Sequence, residues 1–390
     1  MTQLQPTRTS ARDLIEQAEA LMPAIASRAL ETERNRRVPD ETLREIEAGG
    51  LNRILHPIRH GGRGLDYDTF FEVSWRLSSA CASTGWVFSV AGVHTWQVGL
   101  ASEQAQEEFF AGGDVWSCSA FNPSGAQVEP VDGGWRVSGR WQYSSGCVHA
   151  AWALLGAFVP EYPFPILVLV PRSDFTIEDT WHVSGLRGTA SNDVVIEDPV
   201  FVPAHRYVPL GGPDAEAVER NDRGSYGAVG ASLIPWTLAT PVIGMAQGAL
   251  NTFEDKTRSR VSAFLHQEVS KMGGPQMRIA AAAAAIDAAR ALARSDIREM
   301  IERGGAADSF SDEDRVRFRR DHAYAVNLAY DATMMLARAS GASSLFESHP
   351  MQRFMRDVHA GSMQLIANWD EQAESYGRVR MGLEPNGQMW

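Results

Sequence analysis

The sequence predicts an α+β fold in three consecutive parts. A helical N-terminal domain covers residues 1–112, a central β-barrel or sandwich domain 113–210, and a C-terminal four-helix bundle 211–390. Three observations predict it. Apolar residues recur at helical spacing on both flanks of the chain. Between them, from about residue 113 to 209, the texture turns to Gly, Pro, Ser, Trp and Val in apolar runs of strand length. Beyond residue 232 the chain is helical again, and Ala280–Ala285 is an unbroken run of the residue with the best intrinsic helix propensity.

In chain order, Leu14, Ala18, Leu21, Ile25 and Ala29 mark one helical face, and Pro23 inside that pattern predicts a kink or a break. Pro39-Asp40-Glu41 opens a further helix that carries Leu43, Ile46 and Leu51 and runs into Gly49-Gly50. Gly61-Gly62-Arg63-Gly64 reads as a loop. Residues 67–111 return to helix, with Phe70, Val73, Leu77, Val90, Val93 and Val98. In the middle third, Gly134–Gly139 alternates turn and strand signals, while 152–159, 166–170, 194–196 and 200–202 read as short separate strands. Three long helices are expected after that, over 276–303 with Gly304-Gly305 ending it, over 312–340 and over 350–376.

Composition narrows the function classes. With 390 residues, 44% of them hydrophobic and 22% charged, the chain can build the cores of two or three domains. A formal net charge of −12 and the absence of a Lys/Arg block argue against a nucleic-acid partner. Cys81, Cys118 and Cys147 form no CxxC pair, so neither a disulfide scaffold nor a zinc ribbon is expected. No HExxH and no ligand-spaced histidines suggest a metal, and no P-loop is present. The glycines at 61–64 lack the strand-then-helix setting of a dinucleotide fingerprint. No run of about 18 apolar residues and no apolar signal core at the N-terminus is seen, so the expectation is a cytoplasmic enzyme without a membrane partner.

Local motifs point further. Gly139-Arg140-Trp141-Gln142-Tyr143-Ser144-Ser145-Gly146-Cys147-Val148-His149-Ala150 closely resembles the W-x-F/Y-S-S-G-C-x-H-A segment of the two-component (group D) flavin-dependent monooxygenases, whose oxygenase components have the acyl-CoA dehydrogenase-like fold. Gly185–Ser191 with Val200-Phe201-Val202-Pro203 resembles the family's second β-domain signature. Ala82–Trp86 followed by His94 resembles its N-terminal helical signature, and Arg356–Ala360 with Tyr376-Gly377 its C-terminal helix. The resemblance implies an enzyme that uses reduced FMN or FAD and O2 to hydroxylate a small aromatic, phenol- or indole-like substrate through a C4a-hydroperoxyflavin. Having no nicotinamide site of its own, it would draw reduced flavin from a separate NAD(P)H:flavin reductase. The close-packing alanine helix fits a homotetramer. Three other readings stay open: N-oxygenation of an amine or amino sugar, an acyl-CoA dehydrogenase, and a flavin-free scaffold. The dehydrogenase would need a glutamate base, and no convincing counterpart is identifiable.

The resemblance also nominates residues. Ser144 and Ser145 are candidates for the flavin N5 contact, since a hydroxyl can donate or accept there, and the resemblance favours Ser144 as the catalytic one; the alternative is a pair of serines capping a strand end. Trp141 either packs on the ring or belongs to the β core. His94 would face the substrate as a general base for a phenol proton, or else be a core histidine bonded to a carbonyl. Ser119 and Phe121, on a strand resembling the substrate-lining one, and Trp96 are further candidates for the substrate. Arg258 and Arg260 would reach the flavin phosphate with a two-pronged grip, unless they form a solvated helix face. Phe264 would pack on the flavin. Arg187, Thr189, Ser191 and Asn192 make a polar loop that could meet the flavin tail. Where the branch often carries a C-terminal histidine, this chain reads Met363-Gln364, with His359 one turn earlier, so Gln364 is the candidate there.

Overall fold

The computed structural model describes residues 10–159, 161–162, 165–209, 226, 230–262, 266–304 and 310–386. Six helices come first: α1 (Ala11–Ser27), α2 (Ala29–Asn35), α3 (Asp40–Ala48), α4 (Tyr67–Ala80), α5 (Ala82–Gly99) and α6 (Glu103–Phe110). A capping box opens α1: Ser10 Oγ accepts from Asp13 N at 3.2 Å, and the Asp13 carboxylate accepts from Ser10 N at 2.8 Å. Pro23 does not break this helix, contrary to the expectation. It sits on the exposed side above exposed Glu19, so the carbonyl it leaves unpaired faces water, and the chain breaks only at Arg28.

The hub is α5. A helix apolar on every side belongs at the centre of a domain, and Ala82–Gly99 is buried throughout except at Val90. Glycines let its neighbours come close: a methyl group on Gly85 would lie 2.0 Å from Ser78 Oγ, and one on Gly92 would lie 2.3 Å from the Phe70 ring.

Eight strands follow: β1 (Ser117–Ala120), β2 (Ala126–Val131), β3 (Gly134–Ser144), β4 (Trp152–Ala157), β5 (Ile166–Pro171), β6 (Thr176–Glu178), β7 (Asn192–Pro203) and β8 (Tyr207–Val208). They form two four-stranded sheets, ordered β1-β4-β5-β8 and β2-β3-β7-β6; only the β1–β4 pairing is parallel. Trp135, Val137, Trp141, Val168, Val170, Val194 and Ile196 fill the space between them. The two short strands expected at 194–196 and 200–202 are one strand of 12 residues. Pro199 is tolerated because the β3–β7 register shifts there, Val137 facing Val200 and Gly139 facing Ile196, so no ladder hydrogen bond is asked of it.

The C-terminal helices are α7 (Gly230–Arg258), α8 (Gly273–Arg303), α9 (Asp312–Ser340), α10 (Pro350–Ser362) and α11 (Trp369–Arg380). Ala282, Ile286, Ala289, Ala293 and Ile297 of α8 are buried, as are Ala325, Val326, Ala329 and Ala332 of α9. The segment Ser232–Arg258 is long and apolar enough to cross a membrane by composition, but 89% of its most apolar window is buried in the protein, as in a core helix. The helix expected over 350–376 is two helices. Between them Gln364 Oε1 accepts from Ile366 N at 3.2 Å, and His322 Nε2 donates to Ile366 O at 2.7 Å, which fixes the break.

Candidate active site

The site forms where α5 meets the β sheets. Residues Ser83, Val87, Val90 and His94 of α5 recur at alternating intervals of four and three, so they share one stripe of the helix. Each of three touches the β region. Ser83 Cβ lies close to Gly188, Val87 packs at Gly146, and His94 Nδ1 lies 3.2 Å from both the carbonyl and the hydroxyl of Ser117. Val90, between them, is the one partly exposed residue of the helix, so the stripe is least covered there.

His94 is fully buried, and burial pulls its pKa down to about 4, which leaves the ring neutral at pH 7. A carbonyl can only accept, so a bond to Ser117 O requires the tautomer with the proton on Nδ1, and in that tautomer Nε2 carries a lone pair. That Nε2 is buried and has no partner. The ring is therefore anchored at one nitrogen and vacant at the other, which is how a general base is held. Ser119 lies two residues along β1 from Ser117 and so projects from the same strand face, half-buried; Phe121 follows just past the strand end, also half-buried.

Ser144 ends β3. Tyr143 before it has φ 66°, a left-handed conformation unusual for a tyrosine, and the β3–β7 register shifts between Trp141 and Ser144. The irregularity turns Tyr143 out, 69% exposed, beside Trp181, and turns Ser144 wholly in. Ser144 Oγ is buried without a hydrogen-bond partner.

Ser145 is placed differently. Its hydroxyl accepts from Trp86 Nε1 at 3.1 Å and bonds Ser191 Oγ at 2.8 Å; Ser191 bonds Thr189 Oγ1 at 2.7 Å, and Thr189 donates to Leu186 O at 2.8 Å. Leu186 N in turn donates to the buried Asp357 carboxylate at 2.6 Å. This chain of bonds ties the 185–191 loop to α5 and α10, and it engages Ser191 and Thr189 structurally as well. The Asn192 carboxamide oxygen accepts from the backbone of Thr180 and Trp181, so it pins a turn.

The remaining candidates scatter. Trp141 is buried between the sheets and donates its indole N–H to Gly156 O at 2.9 Å, as a core residue does. Trp96 lies on another side of α5 from His94, its ring 6.3 Å from that of Tyr226. Arg258 is exposed at the end of α7 and pairs with Glu254 and Asp255. Arg260 donates to Ser340 O at 3.0 Å and lines a pocket of about 230 Å³ with Lys256, Thr257, Ser343 and His349. Gln364 occupies the α10–α11 break, its Nε2 buried without a partner, while the ring of exposed His359 lies tilted 5.9 Å from that of Tyr330. Phe264 lies outside the described residues. Among the described residues no three His, Cys, Asp or Glu side chains gather into a metal site. Sequence reasoning missed Ser117, which positions His94, and the turned Tyr143; neither residue type signals such a role.

Comparison with known proteins identifies the family of this fold. The acyl-CoA dehydrogenase N-terminal domain family matches residues 7–112, and the acyl-CoA dehydrogenase C-terminal domain family matches residues 236–369. The chain is 37% identical over 377 residues to the flavin-dependent monooxygenase oxygenase subunit HsaA of Rhodococcus jostii, covering 95% of this chain and 98% of that one. The crystal structure of 3-HSA hydroxylase from Rhodococcus sp. RHA1 superposes with a TM-score of 0.90 at 35% identity, covering 97% and 99% of the two chains. XiaF from Streptomyces sp., solved with FADH2 and glycerol, gives a TM-score of 0.86 at 28% identity over 97% and 98%. The chain therefore belongs to the acyl-CoA dehydrogenase family, in its branch of flavin-dependent monooxygenase oxygenase components that work with reduced flavin and O2.

Proposed function

We propose that the chain hydroxylates a small phenol-like aromatic bound between α5 and β1, with His94 as general base. The observation that carries this reading is that two polar atoms are wholly buried without a partner, His94 Nε2 on α5 and Ser144 Oγ at the end of β3, whose neighbour Ser145 bonds Trp86 of the same helix. The residues fit a flavin: a buried hydroxyl with no partner suits an isoalloxazine nitrogen, and the unmatched Gln364 amide offers a second donor. When bound, the reduced flavin supplies two electrons and the activated oxygen. The protein does the rest. His94 Nε2 takes the phenol proton, which raises electron density on the ring carbons ortho and para to the oxygen. Ser119 bonds the substrate, Phe121 and Val90 wall it off from water, and Arg260 reaches the flavin phosphate.

Finer points belong to the same proposal. The chain is divided at 112 and 210 into helical, β and bundle domains. Reduced flavin comes from a separate NAD(P)H:flavin reductase in the cytoplasm, a reading supported by three buried, unbridged cysteines. The assembly is a homotetramer, supported by the exposed apolar side chains Leu345, Phe346, Met363 and Leu365; a light-scattering mass near 42.8 kDa would refute it.

The function is tested by rapid mixing. Protein loaded anaerobically with FMNH2 or FADH2 is mixed with oxygenated buffer in the presence of phenols. A near-ultraviolet transient before oxidised flavin appears, together with catechol product, is the expected result. Immediate reoxidation with no transient and no product would overturn it.

A further inference from the structure

The α5 stripe does not end at His94. Its next member is Gln97, three residues on, a spacing that makes the two side chains neighbours with about 5–6 Å between Cβ atoms. Gln97 is 1% exposed, and both ends of its carboxamide, Oε1 and Nε2, are buried without a hydrogen-bond partner. Two other buried polar groups close by in the chain are matched. Thr95 Oγ1 donates to Gly92 O at 2.7 Å, and the equally buried Gln106 spends its amide on Gly99 O at 2.9 Å and Ala101 O at 2.8 Å. A buried amide unmatched at both ends destabilises the fold unless something else satisfies it. Gln97 lies on the same side of the helix as Val90, where the stripe is least covered, with His94 between them.

We infer that Gln97 is a specificity-determining residue that recognises a second hydroxyl on the substrate, across the ring from the one that meets His94. The inference rests on the reading of His94 as the substrate-facing base. A rigid aromatic with one oxygen at His94 Nε2 carries a meta or para oxygen towards the next side chain along the stripe, whereas an ortho oxygen stays beside the first. A hydroxyl both donates and accepts, so among the oxygen groups of an aromatic substrate it satisfies the two ends of the carboxamide; a ketone or an ether satisfies only the N–H. A carboxylate is disfavoured. The segment Ala82–Gly99 contains no Lys or Arg, and the neutral His94 offers no charge to pair with a buried anion. The substrate class is thus a neutral benzene diol with meta or para hydroxyls.

The test compares the wild type with Gln97→Leu and Gln97→Met, using phenol, resorcinol, hydroquinone, 3-methoxyphenol and 4-hydroxybenzoate. Ligand binding is read by intrinsic tryptophan fluorescence, and kcat/KM by product formation with supplied reduced flavin. The wild type is expected to bind one of the diols about tenfold or more tightly than phenol, 3-methoxyphenol or 4-hydroxybenzoate. In both variants that preference collapses, while affinity for phenol is unchanged. Should the variants fail to fold, the wild-type ranking of diol over both phenol and methyl ether decides the matter, because phenol lacks the second O–H without the added methyl of the ether. A diol preference that survives in Gln97→Leu, or equal binding of diol and ether by the wild type, would overturn the inference. These failures are separable from failure of the proposed function. Phenols turned over without regard to Gln97 leave the His94 reading intact, whereas a wild type that hydroxylates no phenol removes it, and the binding ranking still reads Gln97.

Discussion

Ser144→Ala is expected to act in opposite directions on the free and the flavin-bound protein. In the free protein, Ser144 Oγ is wholly buried and bonded to nothing. A hydroxyl so placed has lost its water without replacement, a penalty of about 1–3 kcal/mol that alanine removes. The methyl group left behind keeps most of the volume, so the cavity term is small. The flavin-free variant should therefore be at least as stable as the wild type, with a melting temperature higher by about 1–3 °C. Flavin binding should move the other way. If the hydroxyl bonds a ring nitrogen, its loss removes one hydrogen bond of about 1–2 kcal/mol, a five- to thirty-fold weaker Kd. The assays are differential scanning fluorimetry without flavin and anaerobic titration with FMNH2 and FADH2. A structural role as a strand cap predicts the reverse pair, lower stability and unchanged affinity. That result would refute the assignment of Ser144 to the flavin.

Three further outcomes follow from the geometry. His94→Gln should lower kcat/KM for a phenol by about 10²–10⁴. Because the His94 pKa is pulled down to about 4, the acid limb of the wild-type profile should stay flat to about pH 5; a limb near 6.5 would mean the ring is solvated. Arg260→Ala should weaken FMN about tenfold without affecting riboflavin, which lacks the phosphate, while Arg258→Ala, exposed and paired within its own helix, should change neither; equal loss for FMN and riboflavin would rule out a phosphate contact. Asp296, buried in α8 near Asp321, has its carboxyl pushed up to about 8 from 3.8, so between these values the folded state holds a proton the unfolded state has lost. Its contribution to stability falls as pH rises through that window. Asp296→Asn should flatten the decline, gaining a few kcal/mol on the wild type at pH 9 relative to pH 5 in urea unfolding; parallel curves would show that Asp296 is ionised throughout.

What could be read from the chain was what local propensity controls. The alanine run gave α8 nearly to the residue, and Asp312–Ser340 matched outright, because a strong helix former flanked by glycine or a serine cap leaves little for tertiary contacts to decide. The break after Ser362 was not legible. Leu365 and Ile366 continue an apolar helical pattern, and a bond from His322, over 40 residues away in sequence, together with the Gln364 side chain on Ile366 N, holds the chain out of it. The strand through Pro199 was missed for the matching reason, since a register shift supplied by β3 is invisible in β7 itself. At the site, residue type nominated Ser144 and Ser145 together, and only the resemblance favoured Ser144; nothing in the local sequence shows why the two differ. The difference is a positive φ at Tyr143, a residue with no intrinsic preference for that conformation. Trp141 illustrates the converse. Its motif suggested a cofactor contact, while its indole N–H is spent on Gly156 within the sandwich.

The unmatched polar atoms of α5 and β3 bear on how such a site can be both dry and selective. Ser144 Oγ, His94 Nε2 and both ends of the Gln97 amide are buried without protein partners, on elements that are themselves tightly fixed: a strand end held by a register shift, and a helix buried on nearly every side. A flexible loop could turn such groups towards water or towards one another when empty; α5 and β3 cannot. On the proposed reading, folding holds these groups ready for ligands, and part of their lost hydration is recovered only when flavin and substrate bind. A ligand lacking the right oxygen leaves an orphan in place, so discrimination comes from the unfilled partner more than from the filled one. The same rigidity gives His94 its chemistry. Anchored through Nδ1 at Ser117 and stripped of water, it stays neutral at pH 7 and keeps its one free lone pair for the substrate proton.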